Sequence, residues 1–356
     1  MQLKTTVLIL TLICLLSVQG FAQQIEIEAE AKPRYFKKTV PDTSYVRPYS
    51  NKLMVAVIGT RKYQHIDISP NRHFENLTYR PNNPYGFGLG VAYNSLSLDL
   101  TIKFPYLTKS YRKKGDSDIY RIRLGYNKPR VWYSTMIQYC RGFYLSNIEK
   151  LDPGWFDNNQ TYLLRPDITN ISWYTAAYYS FNYKNITYQS AMGIEQQQKK
   201  SAGTFLLGGS VFLNFLSADS SMIPAVYSSY FSDDMALKKQ FNIQYGLNFG
   251  YAHTIVIYKK IHFTLAVFPG MHYQTGHQIT PLQGKKSIGG NFGSITEARA
   301  VIGYNGNKYY WGATLNKIMI LHFPENTVLT KGYAHLKIYF GRRFNWKGWH
   351  SKKKRI

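Results

Sequence analysis

The chain has 356 residues, 44 of them lysine or arginine and 19 aspartate or glutamate, for a formal net charge of +25, yet 44% are hydrophobic and 16% aromatic. That apolar content excludes a disordered polyelectrolyte, and two cysteines exclude a disulfide framework. Beyond residue 22 no run reaches the ~18 consecutive apolar residues of a membrane helix.

In chain order, Lys4, an apolar run from Val7 to Val18 and the small-residue exit Gly20-Phe21-Ala22 have the form of a secretory signal peptide over residues 1–22. A lipoprotein role for Cys14 is disfavoured by the bulky Ile13 before it and by the apolar run continuing past it. Residues 23–51, with Glu26, Glu28, Glu30, Pro33, Pro41 and Pro48, show little apolar periodicity and are expected to form a periplasmic lead-in. A basic cytosolic protein would suggest nucleic acid. Export removes that partner and leaves membrane lipids, lipopolysaccharide and anionic solutes as the acidic partners a basic field attracts.

Strand periodicity begins at Lys52 and continues to Phe344, which predicts a single β-barrel over 52–344 and a basic tail over 345–356. Its clearest stretch runs from Tyr79 to Phe104. Tyr85, Phe87, Leu89, Val91 and Tyr93 fall on one face, with Gly86, Gly88, Gly90 and Ala92 on the other. After a turn at Asn94-Ser95, Leu96, Leu98, Leu100, Ile102 and Phe104 alternate with Ser97, Asp99, Thr101 and Lys103. Such alternation over about ten residues is that of a transmembrane β-hairpin. Further strands are predicted near 120–126, 131–145, 166–183, 185–198, 204–216, 222–231, 241–258, 261–267, 292–304, 308–322 and 329–344.

The result is an all-β, transmembrane, up-and-down antiparallel barrel of about fourteen strands, with about twelve as the alternative if the pair around Leu207 to Phe231 is dropped. Short turns at Asn94, Lys128, Lys184, Ala218-Asp219, Lys259 and Gly306 alternate with longer connections, which places both termini on the periplasmic side. Tyr93, Tyr126, Trp132, Tyr183, Tyr188, Tyr258, Tyr304, Tyr309 and Trp311 lie beside those turns, where an aromatic girdle belongs. Leu336, Ile338, Phe340 and Phe344 share a face of the last strand and resemble the terminal strand by which barrel-insertion machinery recognises its clients.

The block Tyr79-Arg80-Pro81-Asn82-Asn83-Pro84-Tyr85-Gly86-Phe87-Gly88-Leu89-Gly90, followed by Tyr93-Asn94 and Leu96-Ser97-Leu98-Asp99, resembles the signature of domain of unknown function 4421. Gly203 to Gly209 and Asp219 to Pro224 resemble further pieces of it. The resemblance implies an exported protein of Bacteroidota bacteria with an outer-membrane barrel, and it implies no activity.

Chemistry-bearing motifs are sparse. There is no nucleophile elbow, metalloprotease helix or phosphate-binding loop, so no enzyme, cofactor or metal is expected. The histidine pairs His253/His262 and His272/His277 have spacings that suit no chelate, and a barrel hydrolase built from Ser210, Ser294 and His335 has no spacing to select it. If the apolar sets face lipid, the lumen is lined by Asp99, Lys103, Arg121, Arg123, Gln138, Gln244, Glu297, Arg299 and Lys337, together with Asn242, Asn248 and Asn316. Its excess of cations predicts a porin-like channel or transporter for small anionic solutes. The alternative is a non-conducting barrel whose lumen is plugged, acting as a surface scaffold, adhesin or envelope-assembly partner through loops 145–165 and 276–290.

Overall fold

In a computed structural model, the described residues are 40–49, 51–70, 73–82, 85–104, 111–258, 260–322 and 329–346. The signal peptide, most of the lead-in and the tail from residue 347 lie outside them. The strands are β1 (Val46–Pro48), β2 (Lys52–Ile68), β3 (Leu77–Arg80), β4 (Tyr85–Tyr93), β5 (Leu96–Lys103), β6 (Asp118–Asn127), β7 (Val131–Leu145) and β8 (Leu164–Ser180). They continue as β9 (Gln196–Gln198), β10 (Ala202–Ser217), β11 (Lys239–Ile257), β12 (Ile261–Phe268), β13 (Gly270–Thr280), β14 (Gly284–Asn305), β15 (Tyr309–His322) and β16 (Leu329–Asn345).

All but β1 and β9 join one antiparallel sheet of 14 strands. Its order runs β10-β8-β7-β6-β5-β4-β2-β16-β15-β14-β12-β11, and the β10–β11 ladder from Ala202↔Thr254 to Ser217↔Lys239 closes it into a barrel. β3 lies off the ring, pairing β2 and β7. β12 and β13 are two halves of one stave, so the wall has 12 staves. Pro269 divides them because it has no N–H to give the ladder, while its carbonyl still accepts from Phe249 N at 3.0 Å.

Parity along each strand sets the two faces. Val57, Phe87, Leu89, Leu100, Ile102, Phe205, Leu207, Leu247, Phe249, Leu265, Val267, Ile302, Leu315, Ile338 and Phe340 are exposed on the outside. Between them, Gly90, Ala92, Gln138, Ser172, Asn214, Gln244, Glu297 and Arg299 are buried on the inside. The β4–β5 turn holds Asn94 at φ 47° and Ser95 at φ 79°, the left-handed pair whose twist suits a two-residue hairpin.

Two predicted strands are something else. Residues 185–198 leave the wall: Thr187 and Ser190 form a capping box that starts the helical turn Tyr188–Ala191, and Gly193 at φ 68° reverses the chain. Residues 222–231 contain a 3-10 turn, Ala225–Tyr230, begun by Pro224. The connection at Ala218-Asp219 therefore belongs to the long-loop end. The predicted loop 276–290 is for the most part a hairpin made by the far ends of β13 and β14.

Glycines on the inner face let neighbouring backbones approach. A Cβ on Gly88 would stand 1.9 Å from Leu100 O, whereas one on outward-facing Gly59 would meet nothing within 4 Å. Gly88→Val is expected to lower stability by about 2 kcal/mol or more, and Gly59→Ala to leave it within about 0.5 kcal/mol. Urea midpoints of the refolded barrel measure both.

Candidate functional site

The inward face of the wall converges on a packed polar layer. Glu297 and Arg299, two residues apart on β14 and thus on one face, are 1% and 2% exposed, as are Lys62 at 1% and Lys331 at 2%. Arg299 Nε donates to Glu297 Oε1 at 2.7 Å and Nη2 donates to Ser134 Oγ at 3.1 Å. The guanidinium also lies 5.4 Å from the ring centres of both Tyr188 and Phe268. Tyr174 and Tyr178, on β8, donate to Glu297 Oε2 at 3.2 and 3.3 Å. A charged pair removed from water survives only with its remaining hydrogen-bonding positions filled, and tyrosines from the opposite wall fill those of Glu297.

The other predicted lumen residues take the following places. Arg121 Nε donates to Gln138 Oε1 and Gln138 Nε2 donates to Gln64 Oε1, each at 2.7 Å, linking β6, β7 and β2. Lys337 pairs with Asp99 at 2.7 Å across β16 and β5. Lys103 is held by Asp116 and, at 3.4 Å, by Asp118. Asn242, Gln244 and Asn248 are buried on the inward face of β11, while Asn316, on β15, and Arg123 border a cavity. Composition gave no reason to single out Lys62, Gln64, Tyr174, Tyr178 or Lys331, yet strand parity places each on the inner face. Lys331 Nζ donates to Asn214 and, at 2.7 Å, to Gln240 Oε1.

Among the described residues, side chains pack across both ends of the barrel. At the long-loop end Ile66, Leu77, Tyr79, Ile119, Cys140, Leu145, Ile168, Met222, Phe231 and Leu329 form an apolar lid, and the Tyr79 hydroxyl donates to Met222 O across it. Residues 42–49 and 182–200 form a plug at the short-turn end, where β1 pairs with β9. Tyr49 OH donates to Asn305 O at 3.3 Å, and Arg343 Nη2 donates to Ile194 O at 2.6 Å. Trp132 and Tyr188, expected in the girdle, face inward instead and meet edge to face at 5.6 Å. Plug and wall leave a cavity of about 60 Å³ bordered by Asp99, Arg123, Ser134, Tyr188, Met192 and Lys337, room for a few water molecules.

The candidate catalytic and metal sets do not assemble. In each histidine pair one member is buried on the inner face, His262 or His272, and the other, His253 or His277, faces outward. Among the described residues no three histidine, cysteine, aspartate or glutamate side chains converge to hold a metal ion. Ser294 points outward, away from inward-facing Ser210 and His335. Ser210 Oγ does lie 2.7 Å from His272 Nε2, and it donates to Asn248 Oδ1 at 2.8 Å. Both members of that pair are buried, and no carboxylate lies against His272 to complete a triad among the described residues.

The family described as "Domain of unknown function (DUF4421)" matches residues 40–344. The chain belongs to this family. None of the curated proteins matches it significantly in sequence. Among solved structures, this DUF4421 barrel is similar to the outer-membrane protease OmpT of Escherichia coli at 6% identity and a TM-score of 0.36, covering 83% of this chain and 97% of that one. The toluene transporter TodX of P. putida aligns at 7% identity and 0.30, covering 85% and 94%. The beta domain of the Bordetella autotransporter BrkA aligns at 9% and 0.35, covering 82% and 99%. Likeness of this degree carries no statement about activity, and the barrel fold of this DUF4421 chain rests on its own closed ladder of strands.

Two outcomes follow for the interior. Arg299→Met strands the Glu297 carboxylate and is expected to cost about 3–5 kcal/mol, while adding Glu297→Gln recovers more than half; urea midpoints of single and double variants measure the coupling. In the plug, Ser95 N donates to Glu195 Oε2 at 2.9 Å, and Gln189 donates to the same oxygen. Burial pushes the Glu195 carboxyl up to about 7 against the pull of those donors and of Lys128. A glutamate with a folded value above its unfolded ~4.3 weakens folding once ionised, so plug packing loses stability as pH rises through about 7. Hydrogen exchange at the amides of 187–198, corrected for intrinsic rate, is expected to show less protection at about pH 8 than at about pH 5, and Glu195→Gln is expected to remove the difference.

Proposed function

We propose that the protein is an outer-membrane barrel closed along its axis, acting as a non-catalytic scaffold that presents its long-loop end at the cell surface. The observation that carries this reading is the burial of Lys62, Arg121, Glu297, Arg299 and Lys331, on four staves of the wall, each no more than 4% exposed. A water-filled lumen would leave such groups wet. The outward apolar belt and closed backbone pairing support a lipid surround, and the short turns support a periplasmic placement of the plug end.

The long-loop end has the form of a contact surface. A groove of about 630 Å³ there runs between Leu163, Arg165, Pro224, Phe231, Asp233 and Leu282. Phe74 stacks on Tyr230 at 4.0 Å beside it, which stiffens the loops around the groove. Partners in this reading are membrane lipids, lipopolysaccharide and, during assembly, the barrel-insertion machinery, to which β16 offers Leu336, Ile338, Phe340 and Phe344 on its outward face.

A second reading, an anion channel or transporter, is favoured by one feature: Arg123 and Lys337 border the remaining cavity against a single carboxylate, Asp99. Conduction would require the plug, the polar layer and the lid to separate. Planar-bilayer recording of the refolded protein decides between the two. The closed reading expects no single-channel steps, and sustained anion-selective steps from the intact chain would overturn it.

A further inference from the structure

The outer face of the wall carries a belt of exposed apolar side chains, and a dent in that belt lies on β2. There the outward residues in turn are Val57, Gly59, Arg61 and Tyr63. Gly59 stands between Ile338 on β16 and Phe87 on β4. With no side chain on Gly59, the belt is dented, and a groove of about 510 Å³ opens between Gly59, Arg61, Tyr85, Phe87, Phe104 and Ile338. Its walls are hydrocarbon and aromatic surface, and its one charge is Arg61.

That charge is unusually placed. The Arg61 guanidinium lies 5.0 Å from the Tyr63 ring centre and 5.1 Å from that of Tyr85, so the two rings hold the planar group and leave its N–H edges to point elsewhere. Its Nε is buried with no hydrogen-bond partner, and among the described residues no carboxylate lies within ion-pair distance. A cation on the lipid face of a barrel is tolerated near the headgroup level. Arg61 pairs with Tyr85, the first residue of β4, and the outward residues that follow it on β2 toward the long-loop end are Tyr63 and then the polar His65 and Asp67. A guanidinium at that depth beside an apolar groove matches a phosphate carried on an acyl chain, which it can hold through paired N–H donors.

We propose that this groove holds one acyl chain of a phosphorylated glycolipid of the lipid A type, in the leaflet on the long-loop side, and that Arg61 binds its phosphate. The inference rests on the membrane reading above and adds to it a specific site.

Native mass spectrometry of the full barrel in detergent, with added diphosphoryl lipid A or phosphatidylglycerol, tests it. The expected result is one retained lipid A, with occupancy reduced about tenfold in Arg61→Gln and in Gly59→Leu. Both variants are expected to fold, because a side chain on Gly59 points into the open groove and the Arg61 Nε makes no hydrogen bond; cold SDS electrophoresis checks the folded form. Lipid A retained equally by both variants would overturn the site. Phosphatidylglycerol retained as well as lipid A, with the same loss on Arg61→Gln, would overturn the glycolipid assignment. Failure of the membrane reading registers separately, as wild-type protein that does not float with lipid vesicles.

Discussion

A β-sheet in lipid has no tolerable edge, because every unpaired backbone N–H and C=O there lacks water to bond. In this chain the ladder between β10 and β11 removes the last edge, and the rest follows from that closure. Once the sheet is a ring, period-two alternation sorts every strand residue to lipid or to lumen. Leucine, phenylalanine and valine mostly go out; most glycines, asparagines and glutamines and a buried set of charged residues go in, while Arg61, Lys239, Lys317 and Arg342 go out. Inside a ring of twelve staves the polar set must be hydrated or paired, and here the buried charges at its centre are paired.

Pairing the interior is demanding for so basic a chain. Carboxylates are scarce, so many of the inward cations are neutralised by dipoles rather than by charge: Lys331 by Asn214 and Gln240, Arg121 by Gln138, Arg343 by Ile194 O. Where a carboxylate is used, as at Glu297 or Asp99, it is shared with tyrosines or placed directly against its cation. Neutral amides bond strongly to ions at low dielectric, as Gln240 on the inward face of β11 does to Lys331.

Much of the fold was legible because alternation is local. The glycine face of β4, the turn at Asn94-Ser95 and the long pattern of β11 are each written in a single stretch of sequence. The misreadings have the same origin. Residues 185–198 and 222–231 carry apolar residues at spacings a strand would use, but Ile186, Met192, Met222 and Phe231 serve the plug and the lid rather than the lipid belt. Because both drop out, the strand number stays even, but 204–216, which the twelve-strand alternative would have dropped with 222–231, stays in the wall as β10, and the turn at Ala218-Asp219 changes ends. The state of the lumen was not legible, since it depends on partners far apart in sequence: Gln64 with Gln138, Ser134 with Arg299, Asn214 with Lys331. Nothing in the pattern of one strand records which side chain arrives from across the barrel.

The central claim is that no water path runs along the axis, and the chain contains its own probe of it. Cys140 faces the interior within the lid, fully buried in one apolar cluster with Ile66, Ile119 and Ile168. Labelling of a Cys14→Ala variant, in which Cys140 is the one remaining thiol, by a small membrane-impermeant thiol reagent reads whether that position is reachable. The account predicts no modification of the folded barrel and stoichiometric modification after heating in SDS. Rapid labelling of Cys140 in the folded barrel would contradict it.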